Sequence, residues 1–293
     1  MRALRPATFA FLALILILPG ITVGADQKDQ KTVTRETVTI EGHGKGTKTV
    51  TTYGNFTETR IEAGDYSLFT KKRGKMQGSF GEMEAQLVER QEKVGDTLVG
   101  LYITTSDLEP LTTSVPYLDG KKHGLYKEEW WGQTIARGQY DHGKRVGEWM
   151  REGDIFENYD SQGQLHGESR SLDTAGNLIE LKTYNHGVLD GPYKKLSRGK
   201  LQTAGMYKNG KKSGQWQEIA PYKGTKSIGS YRDGERQGAW KFYDRNGYLS
   251  KQATYEEGEY NGPLYELRED GSLASIEIWK DGKRQGYPTY YDK

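Results

Sequence analysis

Aromatic residues recur along this chain at a fixed interval, and short polar segments that contain glycine separate them. Through residues 117–293 a pair of glycines four apart returns at a step of roughly 24 residues, a period typical of repeat architectures. The step is constant to within one position, except between Gly147 and Gly167, where it is shorter. An aromatic residue precedes the first glycine by three positions in seven of the eight copies, and another follows the second glycine by two positions in five copies.

The glycine pairs predict turns, because the residue before the first glycine is usually Asp, Asn, His or Glu. Asn-Gly and Asp-Gly favour positive φ and therefore tight hairpin turns. The pairs are Gly120 and Gly124, Gly143 and Gly147, Gly163 and Gly167, Gly187 and Gly191, Gly210 and Gly214, Gly234 and Gly238, Gly258 and Gly262, and Gly282 and Gly286.

A second type of turn lies between these motifs, and a leucine follows its glycine by two positions. Each leucine precedes an aromatic residue by six positions, and this even separation places both on one face of a strand. The leucines are Leu178, Leu201, Leu249 and Leu273. Two turns and two short strands fill about 24 residues and leave no room for a typical helix. We therefore predict an all-β fold, an elongated antiparallel sheet of tandem β-hairpin repeats.

Three segments carry a family resemblance: Tyr140–Trp149, Tyr207–Trp216 and Tyr231–Trp240 resemble MORN repeats, most closely the bacterial variant of YwqK-type proteins. The resemblance implies an array of eight repeats over residues 117–293, in which the copy at Tyr159–Gly167 is degenerate. The family has no shared catalytic residues, so the resemblance implies a scaffold rather than an enzyme.

The N-terminal part of the chain differs from the array. Residues 1–25 are typical of a secretory signal peptide, with a basic start, the apolar run Ala7–Leu18 and expected cleavage after Ala25. We therefore expect a protein exported to the periplasm or the cell exterior, with no transmembrane segment after cleavage. Residues 26–116 are Thr-rich and predict strands and degenerate repeats that cap the array or form a separate domain.

Composition narrows the function classes. Mean hydropathy is −0.85, with 38 Gly and 20 Tyr, which fits a thin repetitive sheet better than a thick globular core. Removal of Arg2 and Arg5 with the signal peptide leaves 40 basic against 40 acidic residues, which argues against general nucleic-acid binding. The chain has no cysteine, so disulfides and thiolate metal sites are excluded. We expect no cofactor.

Neither the histidines nor the acidic residues predict a catalytic or metal site. His123, His142, His166 and His186 occupy turns, and ligands two repeats apart would lie about 20 Å from each other by strand spacing. The acidic runs Glu128–Glu129 and Glu256–Glu259 are expected to be solvated, and no nucleophile or phosphate-binding motif occurs.

Two candidate contact surfaces emerge. The first is a basic ridge on stacked turns, suited to anionic lipid or acidic glycan, formed by Lys121, Lys122, Lys144, Arg145, Lys211, Lys212, Arg236, Lys283 and Arg284. The second is an aromatic group, Tyr126, Trp130, Trp131 and Trp149, in which the adjacent tryptophans are expected to point to opposite faces of a strand. For each surface, solubility or packing is the competing interpretation.

The short step between Gly147 and Gly167 predicts a notch in the sheet, and we place the main contact surface at residues 126–167. The predicted function is a non-catalytic exported scaffold that binds a protein partner or an envelope component. A carbohydrate-binding or cell-wall-binding module that uses aromatic rows is the alternative, and a hydrolase site in the N-terminal region is a weaker one.

Overall fold

The computed structural model describes residues 21–22, 31–54, 56–74, 76–78, 81–83, 86–105, 111–220 and 223–292. Apart from Ile21–Thr22, the predicted signal peptide lies outside these residues, as does the stretch 26–30. All regular elements of the described residues are β-strands, and all of their pairings are antiparallel. The predicted all-β antiparallel fold is therefore confirmed.

The described residues contain 28 strands, and most are between six and ten residues long. They are β1 (Ile21–Thr22), β2 (Thr32–Ile40), β3 (Gly44–Tyr53), β4 (Phe56–Ala63), β5 (Tyr66–Arg73), β6 (Met76–Gly78), β7 (Gly81–Met83), β8 (Gln86–Val94), β9 (Thr97–Leu98), β10 (Gly100–Thr105), β11 (Leu111–Leu118), β12 (Lys121–Lys122), β13 (Gly124–Trp130), β14 (Gln133–Asp141), β15 (Lys144–Arg151), β16 (Ile155–Tyr159), β17 (Gly167–Leu172), β18 (Leu178–Asn185), β19 (Val188–Leu189), β20 (Gly191–Ser197), β21 (Lys200–Lys208), β22 (Lys211–Ile219), β23 (Lys226–Arg232), β24 (Glu235–Tyr243), β25 (Leu249–Glu256), β26 (Glu259–Leu267), β27 (Leu273–Lys280) and β28 (Lys283–Tyr290).

The chain divides into two compact units, residues 1–144 and 145–293. This division falls within the repeat array, at the start of β15. In the first unit, β2, β3, β4, β5 and β8 pair in chain order, and β10, β11, β13 and β14 continue the same ladder. Its core lies in the Thr-rich part, where Val38, Ile61 and Tyr66 are buried together with their neighbours.

In the second unit, β15 to β28 follow one another in the sheet, each main strand pairing with the next along the chain. The chain reverses direction at a Gly-containing turn after each main strand, and this pattern recurs in every repeat. Contacts are consequently local in sequence, as expected of a repeat array.

The predicted hairpin turns have the expected backbone. Asn209 and Gly210 have φ of 49° and 78°, so both central residues are left-handed, as a type I′ turn requires. Both central residues also have positive φ in each of the other six regular turns. The first central residues of these turns are Asp119, His142, His186, Asp233, Glu257 and Asp281. The Asp, Asn, His and Glu preference at this position therefore reflects backbone conformation.

Two glycines outside the repeat motif leave space for the tryptophan rings of the core. The ladder between β21 and β22 is irregular at Gly205, and the indole of Trp216 lies on this glycine so closely that an added Cβ would be 2.2 Å from the ring. Gly229 and Trp240 repeat the arrangement with the same 2.2 Å approach. The Trp216 indole N–H donates to the Met206 carbonyl at 3.1 Å, which satisfies its polar atom in the core.

Candidate functional site

Seven aromatic residues of the second unit form a continuous row. From Tyr193 through Trp216 and Trp240 to Trp279, successive ring centroids are 4.7–6.1 Å apart, and the contacts of Tyr231 with both tryptophans beside it are edge-on. Trp149, Trp216 and Trp240 are each 1% exposed or less. Trp149 is therefore a packing residue, and its predicted role as an exposed binding residue is wrong.

Trp130 and Trp131 are exposed, in contrast to the tryptophans of the repeat motif. Their exposed fractions are 51% and 63%. Trp130 ends β13, where it pairs with Gln133 across the hairpin, and Trp131 forms the turn with Gly132. The prediction that both rings lie in a strand and point to opposite faces is wrong, because Trp131 has a φ of 50°. A bulky side chain rarely adopts this left-handed conformation.

A second hairpin of this chain has the same geometry without the tryptophans. The β20–β21 hairpin pairs Ser197 with Lys200, and its turn residue Arg198 also has a φ of 50°. In both hairpins the glycine that begins the first strand pairs with a tyrosine of the second, and the interval between the two is the same. The fold therefore needs no aromatic residue at either position, and Ser197 and Arg198 show which residues the hairpin accepts.

Tyr126 belongs to the core rather than to this exposed hairpin tip. It is half-buried, its hydroxyl donates to Glu128 at 3.0 Å, and its ring meets Tyr140 edge-on at 5.8 Å. Tyr126 and Trp130 lie on the same face of β13, because side chains alternate and their separation is even. Of the four predicted aromatic contact residues, only Trp130 and Trp131 are therefore well exposed.

The shortened repeat between Gly147 and Gly167 is visible in β16, which has five residues, whereas β18 has eight. Its ladder to β17 consists of Ile155 with Ser171 and Phe156 with Arg170. Gly163 lies in a turn in which the Asp160 carboxylate accepts the backbone N–H groups of Gln162 and Gln164, both at 2.9 Å. The turns at Asp173 and Asp244 have the same bonds, so Gly163 is not the first glycine of a regular repeat pair.

The residues of the predicted basic ridge differ in exposure according to their position in each dibasic pair. The first members, Lys121, Lys144, Lys211 and Lys283, are exposed. Three of the second members and the single Arg236 fold over aromatic rings: Lys122 over Tyr140, Arg145 over Trp149, Lys212 over Trp216 and Arg236 over Trp240, at 4.3–5.2 Å. Arg284 instead pairs with Glu277 at 3.6 Å. The prediction that both basic residues of each pair form one ridge is therefore wrong.

Acidic residues lie at the same turn edge near the end of the array. Glu235, Glu256, Glu257, Glu259 and Asp281 line one shallow surface depression together with Asn261, whose amide donates to Glu256 at 2.6 Å. This part of the edge is negative rather than basic. The acidic run Glu256–Glu259 therefore lies on the surface, within a cluster of turns.

Charged side chains are also buried or half-buried beside aromatic residues of the second unit. Glu157 is 9% exposed, accepts two bonds from the Arg151 guanidinium at 2.8 and 2.9 Å, and accepts a third from the Tyr159 hydroxyl at 2.7 Å. Burial opposes its charge, but the bonds from Arg151 and Tyr159 outweigh burial and lower the pKa of Glu157. Burial likewise opposes the charge of Lys212, and the bond from its ammonium group to Glu218 raises the pKa of Lys212.

Histidines of consecutive repeats lie close together. The rings of His123 and His142 are 4.8 Å apart, and so are the rings of His166 and His186. The estimate of about 20 Å considered ligands two repeats apart. These pairs are only one repeat apart, and the turns that carry them are stacked. Each pair also has an aspartate beside it.

No protein-family model matches the chain, and no curated protein matches it. The resemblance to MORN repeats therefore stays a prediction. Among the described residues, no helix is long and apolar enough to cross a membrane.

Proposed function

We propose that this protein is an exported, non-catalytic repeat scaffold that binds a protein partner through the tip of the β13–β14 hairpin. The observation that carries the proposal is the exposure of Trp130 and Trp131, 51% and 63%, on a hairpin whose structural counterpart carries Ser197 and Arg198. Tryptophan is enriched in the hot spots of protein interfaces.

The energetics of the hairpin tip support a binding role. An exposed indole gains little of the burial free energy that Trp149, Trp216 and Trp240 gain. A partner that covers the rings supplies the missing burial free energy.

The rest of the molecule supports a scaffold rather than an enzyme. The repeat that the chain resembles has no shared catalytic residues. The acidic run Glu256–Glu259 belongs to a shallow surface cluster, and the buried carboxylate Glu157 is fully engaged by Arg151 and Tyr159. These groups are explained by the fold itself.

The same two exposed rings also favour carbohydrate binding, since an indole face offers a flat apolar surface with a polar edge. This is the second candidate function. It differs from the first in the class of ligand and not in the residues, so one variant serves for both.

The test replaces the hairpin tip with the residues of its counterpart, in the double variant Trp130→Ser and Trp131→Arg. We expect the variant to fold with an unchanged melting temperature and to lose capture of its partner from envelope extracts. Tyr287→Ser is the control for general aromatic adhesion, because Tyr287 is 96% exposed elsewhere. It should retain capture.

Two treatments of the extract separate the ligand classes. Capture that protease digestion abolishes and that purified cell-wall glycan does not reproduce supports a protein partner. Capture of the purified glycan itself supports the carbohydrate alternative. If the double variant folds and captures the same ligand as the wild type, the hairpin tip is not the contact surface.

A further inference from the structure

The two histidine clusters arise from the way consecutive turns are stacked. The first glycine of one turn donates its N–H to a carbonyl of the preceding repeat, as Gly143 does to Lys122 and Gly187 does to Leu165, both at 2.7 Å. The same bond recurs at Gly210, Gly234, Gly258 and Gly282, at 2.8–3.1 Å. This bond brings two positions together: the residue before the second glycine of one repeat and the residue before the first glycine of the next repeat. His123 and His142 are one such pair.

Most junctions of this kind carry no metal-ligating pair. Asp190 meets Asn209, where the carboxylate accepts the Asn209 backbone N–H at 3.2 Å, and Gln237 meets Glu257 in the same way at 3.4 Å. At two junctions both positions are histidine. The stacking is therefore a property of the repeat, whereas the paired imidazoles are a property of these two junctions.

In the first cluster, both imidazoles face one carboxylate. The Nδ1 atoms of His123 and His142 lie 3.3 and 2.6 Å from the same oxygen of Asp141. One ligand atom from each of the three residues lies within 4.8 Å of the other two. His123 is half-buried and the other two residues are exposed, so the cluster is open to solvent on one side.

The second cluster repeats the arrangement with a carboxylate from a different part of the chain. Asp160 lies 2.7 Å from Nδ1 of His186, and the ring of His166 lies 4.8 Å from that of His186. Three ligand atoms again lie within 4.8 Å of one another. In the first cluster the aspartate directly precedes the second histidine, whereas in the second it precedes the first histidine within the same turn region. Both clusters therefore contain two histidines and one aspartate, but the aspartate comes from a different sequence position in each.

We propose that each cluster binds one divalent transition-metal ion of the Zn²⁺ class, held by His123, His142 and Asp141 at one junction and by His166, His186 and Asp160 at the other. Two imidazole nitrogens and one carboxylate are a donor set of three-ligand zinc sites, in which water completes the tetrahedron. Imidazole nitrogen favours Zn²⁺, Cu²⁺ or Ni²⁺ over Mg²⁺ and Ca²⁺, which prefer oxygen ligands.

The geometry needs little adjustment to hold such an ion. Two nitrogens that each lie about 2.0–2.1 Å from one Zn²⁺ are at most about 4 Å apart. The described ligand atoms are at most 4.8 Å apart, and three of the four histidine side chains, those of His142, His166 and His186, are exposed and can rotate. The backbone that carries them is fixed by the glycine bond between the turns.

The experiment measures Zn²⁺ binding to the purified, metal-free protein by titration calorimetry in a non-chelating buffer. We expect two ions per chain with micromolar affinity. His142→Asn and His186→Asn should each leave one ion, and the double variant should leave none. Asparagine suits these positions, because Asn209 occupies the equivalent turn position with a φ of 49°. Circular dichroism should therefore show the fold retained.

The matched control is His43→Asn, because His43 contacts Asp65 at 3.0 Å without belonging to either three-residue cluster. This variant should still bind two ions. The proposal is overturned if the folded wild type binds no Zn²⁺, or if the double variant binds as many ions as the wild type. If the wild type binds one ion and only one of the single variants loses it, the cluster that contains the substituted histidine is supported and the proposal for the other cluster is overturned.

Discussion

At the scale of single residues, a small set of positions decides which side chains pack and which remain available. Trp216 and Trp240 are buried because Gly205 and Gly229 leave room for their rings. Trp130 and Trp131 lie at a hairpin tip, and more than half of each side chain remains exposed. Residue type alone does not separate these two groups, whereas position within the repeat does.

A buried carboxylate gives a prediction about acid stability at this scale. The folded-state pKa of Glu157 is lowered below its ordinary value of 4.5, so its contribution to stability is present above that value and is lost as pH falls further. We expect the free energy of unfolding, measured with denaturant at pH 7 and pH 3, to fall with acid, and to fall less in Glu157→Gln.

The same substitution should cost about 2 kcal/mol at pH 7, because hydrogen bonds that involve charged groups contribute about 1.5–3 kcal/mol. Glu148→Gln, which removes an exposed carboxyl group from β15, is the control for loss of a charge. An identical pH dependence in the wild type and Glu157→Gln would show that Glu157 does not carry the acid effect.

At the scale of the hairpin, the left-handed turn is the element on which each repeat depends. Gly234 has a φ of 92°. Replacement with valine should lower the free energy of unfolding by more than about 1 kcal/mol, because a β-branched residue is strained in this conformation. Denaturant unfolding checks this. Asp233→Asn should be close to neutral, and a Gly234→Val variant as stable as the wild type would contradict the turn assignment.

The hairpins could be predicted from the sequence because their signals are local. Asn209-Gly210 and its equivalents prescribe a turn through backbone preference alone, and the regular interval between them places the strands. The role of Gly205 could not be predicted in this way, because it depends on the ring of Trp216 in the next strand. The wrong assignment of Trp131 to a strand has a related cause, since only the partner strand shows where β13 ends.

The candidate sites were less predictable than the fold. His123 and His142 belong to different repeats and meet only because one turn is bonded to the next, a contact that periodicity within a repeat does not reveal. Likewise, Lys212 follows an exposed lysine but lies over Trp216 and bonds to Glu218. The residue types could be read from the sequence, whereas their partners required the register of the sheet.

At the scale of the whole molecule, each unit is a series of strands that pair mainly with their neighbours in sequence. Removal of residues along the array therefore has different consequences according to the number removed. Side chains alternate between faces, so a shift by one residue transfers a strand's buried residues to the opposite face. Loss of the whole repeat Gly214–Gln237 leaves Trp240 five positions after Lys211, as Trp216 is in the intact chain, and therefore preserves the face.

The glycine bond between stacked turns makes one repeat interchangeable with the next. Deletion of Gly214–Gln237 removes one whole repeat, joins Ser213 to Gly238, and leaves Trp240 to occupy the place of Trp216 over Gly205. Gly258 can then donate to Lys212, as Gly234 does in the intact chain. We expect this shortened protein to fold cooperatively, and deletion of only Gly214–Arg236 to unfold it, as measured by thermal melting. On this basis, insertions and deletions within the strands should be inherited as whole repeats, whereas the turn between two strands varies in length, with two residues between β20 and β21 and five between β24 and β25.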